Sequence, residues 1–113
     1  MTSIDIRYVI AGAALIVIMT LGSTQAKADQ LDGAKLFQEK TCIACHGPDA
    51  KTPLLPNYPK LAGQNYDYMI QQIMDIKSGA RSNGQTAVMK AVLPIATDAE
   101  LEAIARYIST LPH

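Results

Sequence analysis

Cys42 and Cys45 stand three positions apart, and His46 follows at once. Thiols and an imidazole at this spacing serve four chemistries: a redox-active dithiol, half of a zinc site, a plain disulfide, or attachment of a c-type haem. Zinc needs two more ligands. The only other histidine is His113, and there is no third cysteine. A thioredoxin-like dithiol belongs to strands alternating with helices. No segment here alternates apolar and polar residues over a strand's length. The haem reading explains the spacing itself. Each thiol must reach one vinyl group of the same porphyrin, so the cysteines sit one helical turn apart, and the next residue offers its imidazole to the iron. The expected cofactor is one haem c, covalent through Cys42 and Cys45, with His46 as a metal ligand.

Haem iron takes four ligands from the porphyrin and a fifth from His46. The sixth is open to His113, a methionine, a lysine, water or nothing. Methionine opposite histidine is the electron-transfer pairing and raises the potential. Beyond residue 28 the methionines are Met69, Met74 and Met89. Met69 and Met74 lie on a helical apolar pattern, where methionine commonly fills core. Met89 lies in an apolar stretch that reads as irregular, far enough along the chain to return over the other face of the ring. Met89 is therefore the expected second ligand, with Met69 and Met74 as the alternatives.

The elements that must hold these groups read as helices. Residues 29–40 form a first helix with Leu31, Ala34, Leu36 and Phe37 on its apolar face and Asp32 near the positive end of its dipole. Gly33 is unfavourable inside a helix and fits either close approach of another helix or a frayed first turn. Residues 53–63 hold three prolines and a glycine. They read as an ordered loop in which Leu54, Leu55, Tyr58 and Leu61 need a dry place. Asn65 caps a helix over 66–78, with Tyr66, Met69, Ile70 and Ile73 at helical spacing and Gly79 in the terminal left-handed position. Residues 87–95 read as a loop with at most one helical turn, because Pro94 interrupts them. Thr97 and Glu100 form a capping box. Leu101, Ile104, Ala105, Ile108 and Leu111 then give an apolar stripe that Pro112 ends.

Composition narrows the class. Ten Lys/Arg balance ten Asp/Glu, so nucleic acid is not an expected partner. One Phe and no Trp leave a chain this short with a modest core, which a large apolar cofactor would complete. Residues 1–28 read as a signal peptide. Arg7 lies in the n-region, an uncharged run covers 8–21, and Ala26-Lys27-Ala28 forms the cleavage site. The run is short for a bilayer span, so an uncleaved anchor is the lesser expectation. The domain is then 29–113, and its compartment the periplasm.

Residues 31–111 resemble a small bacterial class I cytochrome c. The resemblance rests on Gly33 and Phe37, on Cys42-Ile43-Ala44-Cys45-His46, on Pro59-Lys60-Leu61-Ala62-Gly63-Gln64, on the helix over 66–78, on Met89, and on Ile104 and Tyr107. It implies an all-α fold, three main helices and loops wrapped around one covalently bound haem. It implies that Gly33 and Phe37 cross the last helix near Ile104 and Tyr107. It also implies that the Pro59 carbonyl accepts the second N–H of His46, which makes Pro59 a cofactor-binding residue. Many members carry two methionines where this chain has Val88 before a single Met89. Tyr66 and Tyr68 either reach a haem propionate or pack.

The function expected is a periplasmic one-electron carrier, not an enzyme, with unnamed donor and acceptor proteins as partners. The alternative is the haem subunit of a periplasmic dehydrogenase such as flavocytochrome c sulfide dehydrogenase. A haem protein with an open sixth iron position is the remaining rival.

Overall fold

The computed structural model describes residues 30–113; the expected signal peptide lies outside them. Among the described residues every regular element is helical. They are α1 (Gly33–Glu39), α2 (Cys42–His46), α3 (Tyr66–Ser78), α4 (Thr86–Val92), a 3-10 turn (Leu93–Ile95) and α5 (Asp98–Thr110). No helix among them is long and apolar enough to cross a membrane.

α1 is shorter than the pattern over 29–40 suggested, because Asp32 is its cap rather than part of its first turn. The Asp32 carboxylate accepts the Lys35 N–H at 3.0 Å. α1 crosses α5 at Gly33. A Cβ there would fall 2.1 Å from the Ala103 carbonyl oxygen, so only a bare backbone lets the helices meet. One turn on, the rings of Phe37 and Tyr107 pack tilted, 6.0 Å between centroids. Leu36, Phe37, Met69, Ala103, Ile104, Ala105 and Ile108 form the main core, with Ala50 of the long loop beneath it. A second cluster joins Ile76, Leu93 and Leu101, and Met89 packs against it.

The stretch over 87–95 departs from expectation. It is a helix followed by a 3-10 turn, not a loop. Pro94 lies in the first positions of that turn, where a missing N–H and a fixed φ are harmless. The proline therefore starts a new turn instead of breaking an old one. Leu54 and Leu55 also differ, at 70% and 43% exposed. The long loop is ordered by its backbone. The Ala50 carbonyl accepts from Leu61 at 2.7 Å and Ala62 at 3.0 Å, and the Cys45 carbonyl accepts from Leu54 at 2.9 Å. The Asp49 carboxylate gathers the N–H groups of Lys51 and Thr52 and the Thr52 hydroxyl.

α5 starts with the predicted capping box. The Thr97 hydroxyl accepts from Glu100 N–H, and the Glu100 carboxylate accepts from Thr97 N–H at 2.8 Å. Lys40, at the end of α1, pairs with Glu100 at 3.0 Å, and Lys77, at the end of α3, pairs with Asp98. Both earlier helices are thus tied to the first turn of α5.

Candidate haem site

α2 is a single helical turn set off from α1 by Thr41, whose φ of 65° is left-handed. Its i, i+3 spacing turns Cys42 and Cys45 to one side. Both thiols are free of disulfide and both line a cavity of ≈ 470 Å³, within the ~300–1,000 Å³ of small-molecule and cofactor sites. Burial pushes the Cys42 thiol above its ordinary value. His46, 7% exposed, lines the same cavity. Its Nδ1 lies 2.9 Å from the Pro59 carbonyl oxygen. A carbonyl only accepts, so Nδ1 carries the proton and donates, and Nε2 keeps the lone pair. Burial lowers the imidazole pKa, against the opposing pull of the Pro59 bond. Burial thus favours the neutral ring, the form that binds metal.

The loop bonds described above bring Pro59 to His46. Leu54 is tied to Cys45 in α2, and Leu61 and Ala62 are tied to Ala50. The segment between them is tied at both ends, and the Pro59 carbonyl faces the ring.

Met89 lines the cavity from α4. Met69 lines it too, from α3, while Met74 is 59% exposed and forms no part of the wall. The two lining methionines belong to different halves of the core. Met69 sits in the cluster that Cys42 and Ile43 pack against. Met89 packs on the Ile76, Leu93 and Leu101 cluster, on which no α2 residue rests. His113 is not a wall residue. Its ring lies over Gly63, where an added Cβ would come within 2.7 Å of the imidazole. Tyr66 is not on the wall either, since Arg106 stacks on its ring at 4.8 Å. Tyr68 lines the cavity and is 51% exposed.

Several wall residues escaped the sequence reading. Arg81 and Gln72 line the cavity, joined by a bond from the Arg81 guanidinium to Gln72 Oε1 at 3.0 Å. Thr86, 5% exposed, lines it from the first position of α4. Residues 81–85 are polar, and nothing in their pattern marks the cavity that Arg81, Asn83, Gly84 and Gln85 line. Lys60 and Arg81 are wall residues, whereas no Asp or Glu is, among the described residues. The donor set suits haem c: two thiols one turn apart, an imidazole with its lone pair fixed, a thioether from a separate element, and cations for a cofactor that carries two carboxylates.

The family model described as Cytochrome c matches residues 30–112. A cytochrome c4 of Stutzerimonas stutzeri is 38% identical over 102 residues, covering 83% of this chain and 48% of the relative. A thiosulfate dehydrogenase electron acceptor of Stutzerimonas stutzeri strain A1501 is 32% identical, covering 96% of this chain and 49% of the relative. Cytochrome c-554(548) of Halomonas halodenitrificans is 37% identical, covering 62% of this chain and 83% of the relative. The crystal structure of reduced recombinant cytochrome c4 from Pseudomonas stutzeri aligns with a TM-score of 0.61 at 32% identity, over 78% of this chain and 50% of that one. The chain spans about half the length of the cytochrome c4 relatives it matches.

Proposed function

We propose that this chain, which belongs to the cytochrome c family, is a one-electron carrier in which His46 and Met89 would hold the iron of a single haem c. Cys42 and Cys45 hold the cofactor by thioether bonds. Bound there, the haem supplies a one-electron Fe(III)/Fe(II) couple. The observation that carries the reading is that His46 and Met89 line one cavity, Met89 from the core cluster on which no α2 residue rests. Met69, on the cluster beneath α2, is the less suitable partner for His46.

The protein's own groups then have defined tasks. His46 is oriented because its Nδ1–H is spent on Pro59, while burial favours the neutral ring. The apolar wall from Phe37, Ile76, Leu101, Ile104 and Ile108 excludes water. Tyr68 and Val88, both on the wall and both about half exposed, mark the edge nearest solvent, where an electron enters and leaves. A filled sixth position leaves no site for a substrate on iron, so the chain transfers electrons and forms no bonds.

Residues 1–28 export the chain to the periplasm in this reading. The electron donor is a dehydrogenase, a reading supported by the similarity to thiosulfate dehydrogenase electron acceptors. Carbon monoxide tests the ligation. The native ferrous protein should leave its spectrum unchanged under carbon monoxide, and Met89→Ala should bind it. Ready binding by the native protein would mean an open iron position and defeat the carrier reading.

A further inference from the structure

Leu54 and Leu55 stand in water next to the turn that carries Cys45, at 70% and 43% exposed. Neither lines the cavity or packs on a core cluster. Backbone bonds fix them instead. The Leu54 N–H reaches the Cys45 carbonyl at 2.9 Å, and the Leu55 carbonyl accepts from the Tyr58 N–H at 3.0 Å. Pro53 and Pro56 flank them, so residues 53–56 hold only two backbone N–H groups, and one is spent on Cys45. The result is an apolar face that is already ordered, which keeps the entropy cost of a contact small.

Cations outnumber carboxylates around it. Asp49 is the only acidic residue over 47–60, and its carboxylate is turned onto its own loop by the Lys51 N–H, the Thr52 N–H and the Thr52 hydroxyl. Lys51 and Lys60, on either side in the chain, are exposed, and neither ammonium pairs with a carboxylate among the described residues. A surface that fits this face is apolar opposite the leucines and bears carboxylates opposite the lysines. A second copy of this chain does not fit. Face on face, it sets lysine against lysine, and four residues a side fall well short of the ~1,200 Å² of a stable interface. Transient electron-transfer contacts lie below that area.

We propose that residues 53–56 are the docking face for this carrier's redox partner, a protein with an apolar patch edged by carboxylates. The partner gives up one electron and this chain takes it, with no bond made and no proton moved. Seated there, the partner is one backbone hydrogen bond from Cys45, a path to the cofactor besides the edge at Tyr68 and Val88. This rests on the carrier reading above.

The probe is a gold electrode coated with mixed methyl- and carboxylate-terminated alkanethiols. The readout is the voltammetric current of adsorbed holoprotein. The native protein should adsorb and exchange electrons at low ionic strength. Leu54→Ser/Leu55→Ser should adsorb at least about tenfold more weakly. If that variant takes up no haem, Leu54→Gln alone carries the comparison. Lys51→Glu should weaken adsorption at low salt and match the native protein at high salt, where charge is screened. Met74→Ser removes a comparably exposed side chain away from the cavity and should behave as native. Equal adsorption of the native and leucine-substituted proteins would overturn the proposal. So would equal adsorption of the native protein on a methyl- and ammonium-terminated surface. A native dimer in sedimentation, lost on substitution of the leucines, would give the face to a second copy and also overturn it. Failure of the carrier reading would show separately, as a native protein with no reversible one-electron couple toward small soluble mediators.

Discussion

The bond that holds His46 is accepted by a backbone carbonyl, so it survives a change of the side chain at Pro59. Pro59→Ala should therefore keep the native ferric spectrum and cost only the loop rigidity that proline supplies, about 0.5–1 kcal/mol, read from chemical denaturation. A lost axial band in that variant would mean that the ring itself, not the carbonyl, positions His46. Gly33 is less forgiving. Alanine is the better helix former by about 1 kcal/mol, yet its Cβ would fall 2.1 Å from the Ala103 oxygen. Gly33→Ala should destabilise by about 1–3 kcal/mol, the range of overpacked sites; a stabilised variant would show that α1 and α5 separate freely. Gly33 was legible because it breaks a local rule that a crossing helix explains, whereas the role of Pro59 came only from the family resemblance. Thr86 breaks none, and its place on the wall appears only when the cavity is seen.

The elements were unevenly legible. α5 announces itself through a capping box and a continuous stripe, and both are present. α4 was missed because Pro94 looked like a breaker, whereas it opens a 3-10 turn. Burial of Leu54 and Leu55 was misjudged because backbone bonds, not their side chains, order the loop. The α5 cap also makes a pH prediction. The Thr97 N–H, with Lys40 beside it, holds the Glu100 carboxyl below its ordinary value. Its contribution is complete above the unfolded-state pKa and disappears as pH falls through the depressed folded-state value. Glu100→Gln should therefore lower Tm at neutral pH and narrow its gap to the native protein as acid is added. An equal gap at all pH values would remove Glu100 from the acid response. Thr97→Ala should cost about 1 kcal/mol of stability, with a Tm drop of about 4–8 °C.

For the molecule as a whole, the cavity runs between the two core clusters, so the haem is part of the core and not an addition to its surface. The Cys42→Ala/Cys45→Ala protein, made without thioether bonds and stripped of haem, should lose most of its helical far-ultraviolet signal; full helicity in the stripped protein would contradict this. Haem attachment was legible from five consecutive residues, since covalent chemistry fixes their spacing. The opposite ligand was not fixed in that way, because two methionines reach the wall and only their core clusters separate them. The central claim is therefore His46 and Met89 together on one iron. The ferric absorption spectrum tests it most directly, through the weak sulfur-to-iron charge-transfer band. The band should be present in the native protein, retained in Met69→Leu and lost in Met89→Ala. A native spectrum without it, or a band that survives Met89→Ala and disappears in Met69→Leu, would contradict the claim.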